Sequence, residues 1–272
     1  MPTIVDRDRI VRLLSCEFDA IAELCEGLDE AAWDTPTCLP GWSVKDNLSH
    51  IVGTELMLDG EQPPEVDISH LAHVKNDIAK FNELWVESMR PLPGAEVLAR
   101  FRDVAARRLA TLEAMSQEEF DAEGFTPAGP DSHGRFMRIR HFDCFLHEHD
   151  MREALGLEDR LDAEQLDLVL DEVSMGLGYV VGKKAGIPAG SRVRIQLTGP
   201  AARDFDVEVS ERAQVVERLD GEPTVQLTMP VMRFVRLSGG RQEADEHLGD
   251  DIELGGDEEQ ARRLASNLAF TI

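Results

Sequence analysis

Asp143-Cys144-Phe145-Leu146-His147-Glu148-His149-Asp150 falls within a stretch, from Arg135 to about Leu155, that reads as one helix, with Gly156 placed to end it. Asp143 and His147 are four residues apart, so on a helix their side chains leave one face, one turn above the other. That is the spacing at which two ligands from a single helix can share a metal ion. Asp150, three residues further on, is placed to accept a hydrogen bond from the imidazole nitrogen that His147 does not offer to a metal, which fixes the tautomer. Taken alone, the pair is equally well an ordinary Asp–His contact on a wet helix face, worth roughly a few tenths of a kcal/mol. Glu148 and His149 point elsewhere and are expected to be solvated. The segment is not an HExxH motif, since no histidine lies four residues before or after His147.

A helix that carries ligands needs neighbours, and the flanking sequence supplies them. Apolar residues recur at helical spacing from Arg7 to Leu28, through Ile10, Leu13, Leu14, Phe18 and Ile21. A loop rich in Pro, Thr and Gly follows, from Thr35 to Gly41. Ser43-Val44-Lys45-Asp46 fits a capping box and starts a helix running to about Asp59. Helical periodicity resumes from about Leu71 to Met89, stops at Pro91-Leu92-Pro93-Gly94, and continues from Ala95 to about Met115. Asp162-Ala163-Glu164-Gln165 reads as a second capping box, opening a helix to about Lys184.

After Pro188 the texture changes. Val193 to Leu197 and Phe205 to Val209 alternate with period two, and Thr224 to Leu227 is a third strand candidate. Short helices are expected from about Pro230 to Leu237 and from Asp257 to Leu268. The chain is therefore read as a helical bundle over residues 1–158 and a small α+β domain over residues 159–272.

Composition narrows the function classes. The 272 residues are 42% hydrophobic and 30% charged, enough to bury a core, and the net charge is -25. So acidic a surface repels phosphate backbones and anionic headgroups, which argues against nucleic acid and membranes as partners. The short basic pairs Arg107-Arg108 and Lys183-Lys184 read as solvated or capping residues. No stretch reaches the roughly 18 apolar residues of a membrane span. The N-terminus is charged where a signal peptide needs an apolar core, so the expected location is cytoplasmic. Cys16 and Cys25 lie nine residues apart on one predicted helix, on opposite faces, and there is no CxxC, so reduced thiols are expected, with Cys144 buried.

The partner for Asp143 and His147 is sought on another helix. His50 lies two turns into the helix that starts at Ser43, between Leu48 and Ile51. By itself such a histidine is more often a hydrogen-bonded core residue than a ligand. With Asp143 and His147 it would complete a two-histidine, one-carboxylate site with open positions, suited to Zn²⁺ or another divalent ion.

Several segments together resemble a known family. They are Trp33, Pro40-Gly41-Trp42 before His50, Asn82-Glu83-Leu84-Trp85-Val86, the Asp143/His147/Asp150 segment about ninety residues after His50, and Phe234 to Arg241. In this order they resemble the mycothiol-dependent maleylpyruvate isomerase family. The resemblance implies a DinB-like up-down four-helix bundle followed by a sterol-carrier-like α+β domain, in an actinobacterial setting. It implies a divalent metal, usually zinc, at His50, Asp143 and His147, and the low-molecular-weight thiol mycothiol as cosubstrate with a small electrophilic molecule. The family's ligand carboxylate is typically glutamate, and this chain has the shorter Asp143.

The implied chemistry is addition of a thiolate to an activated double bond, rotation, and elimination of the thiol. Stopping after the addition would make a thiol S-transferase, and the sequence does not separate the two. The family also resembles this chain in carrying an arginine near the active site in its C-terminal domain, for which Arg236 and Arg241 are the candidates; a guanidinium there would clamp a substrate carboxylate. The alternative from another class is a non-catalytic small-molecule-binding module built on the sterol-carrier-like domain. Oligomeric state is not legible in the sequence.

Overall fold

The computed structural model describes residues 2–271, which divide into two compact units, one ending at Arg160 and one starting at Leu161.

The first unit is helical. Its helices are α1 (Arg7–Leu24), α2 (Glu30–Trp33), α3 (Val44–Leu58), α4 (Asp77–Met89), α5 (Gly94–Ala114), α6 (Gln117–Asp121) and α7 (His133–Ala154). Two short strands, β1 (Glu123–Gly124) and β2 (Asp131–Ser132), pair ahead of α7. The four long helices α1, α3, α5 and α7 form a bundle in which α1 and α3 each pack against α5 and α7, and α4 adds to α3 from outside the four. Most starts follow from local chemistry. The side chains of Asp6, Ser43, Asn76 and Ser132 accept hydrogen bonds from the first-turn amides of α1, α3, α4 and α7. The Ser43/Asp46 capping box forms as its sequence suggests.

α4 begins at Asp77, later than the apolar spacing from Leu71 suggests, because Asn76 caps there. It lies tight on α3, where Gly53 leaves no room for a Cβ against the ring of Trp85. The single-turn helices α2 and α6, capped by Asp29 and by a Ser116/Glu119 capping box, are too short to show periodicity in the sequence.

The second unit opens with α8 (Ala163–Tyr179), which continues as a π-helical turn over Val180–Lys184. The Asp162 carboxylate caps α8 by accepting from the amides of Glu164 and Gln165. The strands are β3 (Arg192–Thr198), β4 (Asp204–Val209), β5 (Ala213–Val216), β6 (Val225–Pro230) and β7 (Glu253–Gly256), with α9 (Val231–Ser238) and α10 (Glu258–Ala265). The sheet order is β5-β4-β3-β6-β7, with β3 and β6 parallel and the other pairs antiparallel. Val193, Ile195 and Leu197 of β3 and Val225, Leu227 and Met229 of β6 are buried, while the residues between them are half-buried, apart from exposed Thr198 at the end of β3.

The two edge strands, β5 and β7, were not anticipated. β5 lacks the alternation of a half-buried strand and β7 carries two glycines, so neither shows the usual signal. Fold class is as expected: a helical N-terminal bundle, then a small α+β domain. Among the described residues no helix is long and apolar enough to cross a membrane.

Candidate metal centre

The cap at Ser43 sets the phase of α3 and so turns His50 inward, where its residue is 5% exposed. The cap at Ser132 does the same for α7, whose Asp143 and His147 face His50. His50 Nε2 is 3.2 Å from Asp143 Oδ2, and His147 Nε2 is 3.5 Å from Asp143 Oδ1. One ligand atom from each of the three residues lies within 4.8 Å of the others. The two ring centroids are 4.8 Å apart.

The hydrogen bonds around His147 decide which of its nitrogens faces the carboxylate. Asn47 Nδ2 donates to Ser43 O (2.9 Å) and to Thr37 Oγ1 (3.1 Å), which orients the amide. Its oxygen therefore meets His147 Nδ1, at 2.7 Å, and this nitrogen must carry the hydrogen. Asp150 Oδ2 stands 3.3 Å from the same nitrogen. A neutral His147 then turns a bare Nε2 toward an anionic carboxylate. Two electron-rich groups in that arrangement need a cation between them, either a proton or a metal ion. The donor set fits a divalent ion on this ground.

The charge states agree. Burial on its own would raise Asp143, yet Arg140, His50 and His147 hold it well below the carboxylate range. Burial would lower His147, but Asp143 and Asp150 raise it. Burial lowers His50, whose Nδ1 has no hydrogen-bond partner among the described residues.

Trp42 covers both imidazoles, with centroids 5.2 Å from His50 and 5.8 Å from His147. Its Nε1 donates to Glu83 Oε2 at 2.8 Å, and the same oxygen lies 3.1 Å from His73 Nε2. Arg90 pairs with Glu83 and Asp46. The turn before Trp42 depends on Gly41, which has φ +82° and whose Cβ would strike the His73 ring. The Cys38 thiol donates to Asp150 Oδ1 at 3.3 Å. Sequence reasoning pointed to Asp150 as the residue orienting His147 but missed Asn47, the nearer acceptor. The only hint of Asn47 lay in its position one turn before His50 on the capped helix.

Three expectations are corrected. Glu148 and His149 are buried, not solvated. Glu148 accepts from Arg152 (2.6 Å) and Arg160 (2.7 Å), and Arg160 also pairs with buried Glu17. Arg108 is likewise buried, donating to Glu55. Helices enclosed on several sides bury polar residues in pairs, and residue type alone suggested the opposite. No disulfide joins the four cysteines, and Cys144 is buried as expected.

The C-terminal candidates lie in the second unit. Arg236 is half-buried in the last turn of α9; its carbonyl accepts from the amide of Arg241, whose guanidinium donates to Gly239 O at 2.7 Å. Arg233 anchors the following segment through Asp251, Gln242 and His247.

Residues 14–152 match the family model described as the mycothiol maleylpyruvate isomerase N-terminal domain, and residues 167–263 match that of the MDMPI C-terminal domain. No curated protein matches the chain. Among solved structures, the mycothiol-dependent maleylpyruvate isomerase is similar with a TM-score of 0.60 at 15% identity, covering 94% of this chain and 96% of that one. A mutant of that isomerase with one histidine replaced by alanine is similar with a TM-score of 0.57, at the same identity and coverage. At this identity the structures speak for the fold alone. The two family models cover both units in order, and the chain belongs to the mycothiol-dependent maleylpyruvate isomerase family.

Proposed function

We propose that the chain is a mycothiol-dependent metalloenzyme of the maleylpyruvate isomerase type, acting on a small electrophilic substrate. Whether the turnover ends in isomerisation or in transfer of the thiol depends on how long the adduct is held, so S-transferase activity belongs to the same proposal. The observation that carries it is the orientation of His147. Asn47 and Asp150 hold its proton on Nδ1, so that Nε2 joins His50 and Asp143 around one point.

His50, Asp143 and His147 would hold a divalent ion, most suitably Zn²⁺, which when bound acidifies a thiol or polarises an oxygen. The other roles fall to the chain itself. Asn47 and Asp150 keep His147 in the ligating tautomer. Trp42, pinned by Glu83, forms an apolar wall over the two imidazoles. In the second unit, Arg236 or Arg241 is assigned to hold a substrate carboxylate, the guanidinium fork suiting its geometry.

The test is metal content of the protein purified without a histidine tag, for the native chain and for His147→Ala, followed by thiol-dependent turnover of maleyl-type substrates. About one equivalent of metal, lost in the variant, supports the proposal. A native chain that takes up no metal after incubation with Zn²⁺ sinks it. The non-catalytic binding module then becomes the better reading.

A further inference from the structure

Asp143 does not stand alone behind the two histidines. Arg140, one turn earlier on α7, forms an ion pair with Asp143 Oδ2, the same oxygen that lies nearest His50. The guanidinium is itself clamped. Its Nε and Nη2 each lie 3.0 Å from Glu55 Oε1 on α3. Glu55 Oε2 accepts in turn from Arg108 Nε on α5 at 3.3 Å, and Arg108 Nη1 reaches Leu58 O. Glu55, Arg108 and Arg140 are 1%, 4% and 3% exposed. The result is a row of alternating charge, Arg108, Glu55, Arg140, Asp143, buried as far as Arg140 and half-exposed at Asp143, which balances to zero before any cation arrives.

Such a row does more than hold the bundle together. Glu55 already has a counter-ion in Arg108, so a second guanidinium is not needed to neutralise it. Arg140 instead places a fixed positive charge against the ligand carboxylate. A fixed positive charge held against a carboxylate repels any cation brought to it, and the repulsion grows with the cation's charge. The same field opposes a divalent ion.

We infer that Arg140, held by Glu55, is a positioning and charge-setting residue for Asp143: it occupies one carboxylate oxygen, leaves the other facing His147, and weakens the site's hold on a divalent cation. This rests on the proposed metal site. Its chemical consequence is that Asp143 would donate less charge to a bound ion, which would then be a stronger Lewis acid.

The test measures Zn²⁺ affinity by chelator competition, with the visible spectrum of the Co²⁺-loaded protein as a check that the ligand set is unchanged. Arg140→Gln keeps hydrogen-bond donors but removes the charge, and it should tighten Zn²⁺ binding by roughly tenfold or more, through the lost repulsion between the guanidinium and the ion. Glu55→Gln leaves Arg140 less compensated and should loosen binding. A merely structural role predicts loosening in both variants, so unchanged or weaker affinity in Arg140→Gln overturns the inference.

If Arg140→Gln does not fold, the comparison of Glu55→Gln with Glu55→Asp decides. The charge account requires the isosteric Gln to lose affinity while the shorter Asp keeps it, and the reverse order overturns it. A native protein that binds neither ion overturns both this inference and the proposed function. Normal binding with a contrary response in the variants overturns this inference alone.

Discussion

The two units solve the problem of a core in opposite ways. The sheet of the second unit buries Val193, Ile195, Leu197, Val225, Leu227 and Met229 against apolar helix faces, with few charged groups among them. The helical unit buries Glu17, Glu55, Glu83, Arg108, Arg140, His147, Glu148 and Asp150 beside its aliphatic residues. A buried charge is tolerated only with a partner, and a network of partners is a poor way to gain stability compared with apolar packing. The helical unit accepts that cost where three side chains must meet with defined charge and tautomer. The contrast separates a core that only has to pack from one that also has to hold the three side chains of the proposed metal site.

The sharpest way to break this contrast is to remove one charge from the network. Glu55→Ala takes the carboxylate from Arg108 and leaves Arg140 with Asp143 alone, and it should cost about 3–5 kcal/mol. Trp33, Trp42 and Trp85 are the chain's three tryptophans and all belong to the helical unit, so the loss should show as a lower urea midpoint in tryptophan fluorescence. The matching change in the apolar core, Leu227→Ala, should cost roughly 2–5 kcal/mol through transfer and cavity terms. Its signature is an earlier loss of far-ultraviolet dichroism, with Zn²⁺ affinity unchanged. If Leu227→Ala altered metal binding, the division of labour between the cores would be wrong.

A smaller effect is expected at the residue that orients His147. Asn47→Ala should lower metal affinity by about 10- to 100-fold, read by chelator competition. Retained affinity would mean that Asp150 alone fixes the tautomer.

The smallest effect concerns Glu17, whose pKa is raised by burial and then by neighbouring Glu148, against the pull of Arg160. A folded-state pKa above the unfolded value stabilises the fold at low pH, and this contribution is lost as pH rises through the folded value. Glu17→Gln imitates the protonated acid. Its urea midpoint relative to the native chain should therefore climb from about pH 4 toward neutrality. A difference independent of pH would show that Glu17 holds no extra proton in the fold.

Part of the candidate site was legible in the sequence alone. The i,i+4 spacing of Asp143 and His147 and the cap that phases His50 are local properties, and both helices formed where periodicity and capping placed them. Less legible was the company these residues keep. Glu148, His149 and Arg108 read as surface residues because nothing in a linear pattern shows that a helix is enclosed on more than one side. β5 and β7 escaped because an edge strand that is half-exposed or glycine-rich lacks alternation.

The sequence by itself determined the order of the long helices and of the alternating strands, the main breakpoints between them, and the placing of Asp143 and His147 on one face of α7, since these depend on backbone propensity, caps and spacing over a few residues. Only the tertiary structure decided that α3 lies against α7 with His50 level with Asp143, that Asn47 holds the His147 proton, and that Arg140 stands between two carboxylates. Those contacts join residues some 85 to 100 positions apart. Their geometry is set by how helix surfaces interlock, which no local pattern encodes.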